Sequence, residues 1–249
     1  MRNIWTIAKR EYKLYFASPA AYLIAFMLLL VLGILFYLNV QLAAQQASAG
    51  FVPGVQIVLG PMATLLMLAT PAITTRLLAE EQRMGTIELL LTAPVRDWEL
   101  VVGKWLGAFL FMATIIAATL IFPLALNQFV DPGIDQGPLI SGYLGILLLV
   151  AAMIAVGVAV SSMFSNQIAA FAATLGILVL FWWIIGPIAQ TVGPAGGSSE
   201  LISYLDFSEH FFANLIQGII DLRDITFYLS VTALALFIGT VSVEMRRWR

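Results

Sequence analysis

Cysteine is absent from the chain and histidine occurs once. Charge is scarce, with 12 Lys and Arg and 14 Asp and Glu among 249 residues. The missing cysteine excludes a disulfide framework, thiolate metal sites and thiol nucleophiles together. One histidine, His210, leaves no zinc or copper centre of the usual ligand types, and it reads as a structural residue rather than a catalytic one. No Gly-x-x-x-x-Gly-Lys-Ser/Thr phosphate loop occurs, because Gly103-Lys104 lacks both the upstream glycine and the following hydroxyl. The residue groupings of intramembrane proteases are also missing. The expectation is a chain with no catalytic residues, metal or cofactor of its own. Cations nearly balance acids, so overall charge gives no reason for nucleic-acid binding.

What is abundant is apolar sequence. Hydrophobic residues make up 61% of the chain, against roughly 45–50% in soluble domains. No Asp, Glu, Lys or Arg occurs over residues 14–75, 105–130, 136–199 or 225–243. A charge at the bilayer centre costs at least about 2.5–3.5 kcal/mol, and one helical span needs about 20 residues. The first and third of these runs hold two spans each, and the other two hold one. The expected fold is an all-α integral membrane protein, one domain over 1–249. Its six transmembrane helices lie near 20–40, 56–78, 101–126, 139–163, 168–190 and 225–243. Gln41 to Gly50 is too polar for membrane core and reads as the first link, and Ser165-Asn166-Gln167 as a tight turn. The first apolar stretch has no short core with a small-residue cleavage site, so it reads as a retained span.

With the compartments alternating, 11 of the 12 Lys and Arg fall on one side; Arg223 alone is on the other, among seven acids. The positive-inside bias places both termini in the cytoplasm of a cell-membrane protein.

Three segments depart from span and turn. In residues 3–16, Ile4, Trp5, Ala8, Tyr12, Tyr15 and Phe16 share one helical face, and Arg2, Thr6, Lys9 and Lys13 the opposite one. With Arg10 adjoining, this reads as an amphipathic helix lying in the membrane interface, its cations toward anionic lipid. In residues 80–94, Gly85 and Pro94 bracket a short helix carrying Ile87, Leu89, Leu90 and Leu91. Four aliphatics in a short loop need a covering surface, either the bilayer or a soluble partner. Asp97 reads as the cap of the third span, with Glu99 in its first turn. On the outer side, Asp206 to Glu209 has capping-box spacing and opens a helix to about Ile220. Phe211, Phe212, Leu215, Ile216, Ile219 and Ile220 form its apolar face; His210, Asn214 and Gln217 form the polar one. The spans contain no internal ionisable group, which argues against proton- or ion-coupled transport. Gly103-x-x-x-Gly107 permits close helix contact.

The stretch Glu81-Gln-Arg-Met-Gly85-Thr86-Ile-Glu88-Leu89-Leu90-Leu-Thr-Ala-Pro94, ending in Gly103-Lys104, resembles the signature of type-2 ABC transporter permeases. The ending Ile219-Ile-Asp221-Leu-Arg223-Asp224 is similar to the gliding-motility-associated branch. The resemblance covers essentially the whole chain. It implies that residues 80–94 contain a coupling helix seated on a separate ATPase, where ATP and Mg would bind. Glu81, Gly85, Thr86, Glu88, Leu89, Leu90 and Pro94 carry that motif. Residues 3–16, with Trp5, Lys9, Arg10 and Lys13, would pack beside it. Residues 199–220, with Phe211, Phe212 and Leu215, would be outer helices beneath an external gate. The implied partners are the ATPase, a second permease half, the bilayer and an accessory periplasmic or extracellular protein. The function so implied is a permease subunit of an ATP-driven exporter. The rivals are a non-transporting scaffold or force-transmitting subunit, a secondary transporter or channel, and, least supported, a membrane enzyme.

Overall fold

In lipid the backbone must satisfy its own hydrogen bonds, and a run of 20 apolar residues does so only as a helix. The computed structural model describes residues 2–46, 52–85, 95–130, 133–191 and 198–247, and over these it holds helices and turns with no strand. In chain order the helices are α1 (Arg2–Ala17), α2 (Pro19–Gln46), α3 (Gln56–Thr74), α4 (Ala79–Arg83), α5 (Asp97–Ala118), α6 (Ile121–Phe129), α7 (Gln136–Met163), α8 (Gln167–Val179), α9 (Ile185–Thr191), α10 (Ser198–Ser203), α11 (Phe207–Ala213) and α12 (Leu222–Arg247).

Among the described residues, six stretches are long and apolar enough to cross a membrane: Pro19–Gln46, Gln56–Arg83, Asp97–Phe129, Gln136–Met163, Gln167–Thr191 and Leu222–Met245. They contain the six expected spans, and each is longer. α2 runs on through Gln41 and Gln45 to Gln46, so much of the expected polar link is helix. The third span breaks at Thr119–Leu120 because Pro123 has no N–H to give the Thr119 carbonyl, which accepts from Phe122 N at 3.0 Å instead. The fifth passes through a π turn at Leu180–Ile184 just before Pro187, the usual way a helix absorbs an interrupted ladder. Asn166 turns the chain into α8, accepting from Ile168 N and Ala169 N.

α7 is the axis of the bundle and the most buried span, whereas α2 is the least buried. Small residues let its neighbours approach. A Cβ on Gly142 would collide with Leu59 of α3, one on Gly157 with Thr74, and one on Gly145 would press on Leu215 and Phe211. Gly239 of α12 lies beside Ala159 with room for ordinary contact only.

α1, expected as an amphipathic interfacial helix, packs lengthwise on α5. Asn3 bonds Glu99 at 3.1 Å, Ile7 abuts Gly103, Glu11 abuts Gly107, and Tyr15 stacks on Phe111 at 4.8 Å. Each pair lies 96 positions apart, so α1 follows the first half of α5 in the same direction. A perpendicular crossing would touch at one level only. The Gly103-x-x-x-Gly107 pair thus receives α1 rather than another span. The buried stripe is Ala8, Glu11 and Tyr15, while Trp5 is 57% exposed and Lys9, Arg10 and Lys13 are exposed.

Candidate functional site

Where the chain begins, five helices converge on polar side chains. Lys104 of α5 is 2% exposed, and its ammonium donates to Glu11 of α1 at 3.1 Å and to Glu81 of α4 at 2.7 Å. Two carboxylates from separate helices therefore share one buried cation. Such a cluster is costly to break because removing one member strands the others. α4 is held from a second direction by α7. The Ser161 hydroxyl accepts from Leu78 N at 3.2 Å and Ala79 N at 3.0 Å, capping the first turn of α4 from another helix. Gln82 donates to the Ser162 carbonyl at 2.8 Å, and Ser242 of α12 donates to the same oxygen at 3.2 Å. α4 ends at Gly85, whose φ of +70° suits glycine.

The expected motif residues divide here. Glu81 is in the junction and Gly85 ends α4. Thr86, Glu88, Leu89, Leu90 and Pro94, with the expected short helix between Gly85 and Pro94, lie outside the described residues. The cap of α5 is Arg96 rather than Asp97. Glu99 reaches back to accept from Arg96 N at 3.2 Å and from Asn3 at 3.1 Å, closing the first turn of α5. Sequence reasoning missed Lys104 and Glu11 as a pair. The signal was present: Glu11 is the only acid in the first 79 residues, and it shares a face with Ala8 and Tyr15. Lys104 lies seven residues after the start of α5, near the end of the third span rather than at its middle. The cation is tolerated because both partners come to it.

At the opposite end, α11 is shorter than the expected helix to Ile220. It stops at Ala213, a 3-10 turn covers Leu215–Gln217, and Gly218 takes φ +98°. Asp206 does cap it, accepting from Ser208 N at 2.8 Å. His210 and Asn214 of the expected polar face turn inward, while Gln217 is exposed. His210 Nδ1 meets Asp224 of α12 at 2.7 Å, and its Nε2 meets the Tyr204 carbonyl at 2.9 Å. Asn214 donates to the other Asp224 oxygen at 3.0 Å, and Phe227 stacks on the imidazole at 4.0 Å. Both ring nitrogens thus have an oxygen partner. Of the expected gate residues, Phe211 and Leu215 are fully buried against Gly145. Phe212 is 38% exposed and edges against Trp182. Ile219 and Ile220 are exposed, so the broad apolar face divides.

Among the described residues no group of three or more His, Cys, Asp or Glu is placed to hold a metal ion. The geometry is one of mechanical linkage, a buried junction at one end and a buried clasp at the other, with the six spans between. No curated protein matches the chain by sequence. Residues 5–243 match the family described as ABC-2 family transporter protein, nearly the whole length. The chain belongs to that family and is a membrane permease component of an ABC transporter.

Proposed function

We propose that the chain is the permease of an ATP-driven exporter of the gliding-motility-associated branch, with both termini in the cytoplasm. It docks a separate ATPase through residues 80–94 and works beside a second permease half. The observation that carries this reading is the attachment of α4, the helix that leads directly into residues 86–94. α4 is bonded to α5 and α1 through Lys104 and to α7 through Ser161 and Ser162. A push delivered to 86–94 would therefore reach the third and fourth spans without slack. Packed elements linked this way move as units, which is what converts closure of an ATPase pair into rearrangement of the spans. The aliphatics Leu89 and Leu90 would supply the apolar contact with the ATPase, and Trp5, Lys9, Arg10 and Lys13 would face the membrane surface beside it.

The test is co-purification of the ATPase with the parent chain and with Leu89→Asp/Leu90→Asp, insertion being checked in parallel. Loss of the ATPase with the spans inserted is the expected result; retained ATPase would place docking elsewhere. Substrate-stimulated ATP hydrolysis in the reconstituted complex separates a transporter from a subunit that only transmits force. A reporter fused after Arg249 that reads outside the cytoplasm would overturn the orientation.

A further inference from the structure

One cavity of about 560 Å³ lies between α1, the turn before α2, the turn between α3 and α4, α4 itself and α5. Arg10, Arg76 and Glu80 line it with Leu14, Leu77 and Met84, and the Lys104, Glu11 and Glu81 cluster lines it as well. Arg76 donates to the Ser18 hydroxyl at 3.1 Å. Among the described residues the ion pairs are those of Lys104 with Glu11 and Glu81 and of His210 with Asp224. Arg10, Arg76 and Glu80 therefore stand unpaired with any described residue, and they do not pair with one another. Beside the Lys104 cluster, two cations and one anion thus lack an ion-pair partner in the same concavity, which suits a ligand that carries both signs.

We propose that this cleft is a headgroup site for a zwitterionic phospholipid with a primary ammonium, of the phosphoethanolamine type. The phosphodiester accepts from the guanidinium forks of Arg10 and Arg76, which match phosphate oxygens. The ammonium, with three N–H donors, bonds the Glu80 carboxylate. Leu14, Leu77 and Met84 take the first methylenes of the acyl chains. The depth is right for a headgroup: the cleft lies where α2 starts at Pro19 and the second span ends at Arg83, and basic pockets at span ends are where headgroups bind. Inorganic phosphate or an acidic peptide would satisfy both arginines but would leave Glu80 facing like charge. That asymmetry favours the zwitterion.

The experiment is native mass spectrometry of the full chain with phosphatidylethanolamine, phosphatidylcholine and phosphatidylglycerol of matched acyl chains. The expected result is retention of the ethanolamine lipid about tenfold above the other two, as one charge-assisted hydrogen bond allows. Choline has no N–H to donate and glycerol has no cation. Glu80→Gln should erase the ethanolamine lipid's advantage over the glycerol lipid, whereas Arg10→Gln/Arg76→Gln should weaken all three. The lipid series on the parent chain needs no variant to fold. Equal retention of the three lipids would overturn the proposal, as would Glu80→Gln binding that keeps the ethanolamine preference. Displacement by inorganic phosphate alone would assign the cleft to a free anion, and displacement by the ATPase to a protein. Either would overturn the lipid site.

Discussion

The Lys104 ammonium lies 3.1 Å from the carboxylate of Glu11, a residue 93 positions earlier in the chain. With Glu81 completing the cluster, this contact joins the first helix, the third span and the approach to residues 86–94. Lys104→Met would leave two carboxylates in a largely buried site without their cation. Breaking a buried pair costs about 3–5 kcal/mol, so the variant should unfold at clearly lower denaturant in detergent. Adding Glu11→Gln and Glu81→Gln to it should recover most of the loss. If the triple variant is no more stable than Lys104→Met, the three groups do not act as a unit.

The register of α1 on α5 has a direct chemical check, because the parent chain contains no cysteine. Cysteines placed at Ile7 with Gly103, and separately at Asn3 with Glu99, should both cross-link with a short bis-thiol reagent. Coupling of one pair alone would mean that α1 crosses α5 instead of following it.

Close approach at Gly107 gives a sharper packing test. A Cβ there would sit 2.6 Å from Glu11 Cβ and 3.0 Å from the Ala8 carbonyl, whereas Gly176 has open space around it. Gly107→Ala should destabilise by about 1–3 kcal/mol, the usual cost of overpacking. Gly176→Ala should be neutral or slightly stabilising. Equal melting temperatures for the two variants would contradict the close fit of α1.

Asp224 is the centre of the clasp at the other end, holding both His210 and Asn214. Asp224→Ala leaves two buried polar groups unmatched, each costing about 1–3 kcal/mol. Hydrogen exchange should rise in residues 207–217 while the amides of α7 stay protected. Exchange rising equally throughout would instead mean that the clasp is needed for the whole bundle.

Alkaline pH reports on Tyr15. Burial, with Glu11 second, pushes its phenol far above the usual range, and its hydroxyl donates to the Ile73 carbonyl at 3.0 Å. A raised value in the folded state favours the neutral form there. Its contribution is therefore complete below about pH 10, the unfolded value, and is lost above it at about 1.4 kcal/mol per pH unit. Tyr15→Phe should be less stable by about 1 kcal/mol at neutral pH and lose less between pH 10 and 11. Parallel stability curves for the two proteins across that interval would refute the buried phenol.

Six spans were legible because exclusion of charge from lipid is a one-dimensional property, read residue by residue along the chain. The tight turn at Asn166 and the cap at Asp206 were legible too, since a cap is set within three residues. Where helices stop was less so. The polar link at Gln41 stayed helical because a helix already nucleated costs little to extend. α11 ended early because Asn214 and His210 were drawn to Asp224, ten and fourteen positions away.

The sequence by itself determined the membrane class, the number of spans and the absence of a nucleotide loop. These follow from composition, run length and spacing. Only the tertiary structure decided that Glu11 and Glu81 meet Lys104, that α1 follows α5, and that His210 and Asn214 turn inward to Asp224. A charge in a helix states only that it needs a partner. Which partner it finds depends on how helices far apart in the chain pack, and that is a property of their shapes taken together.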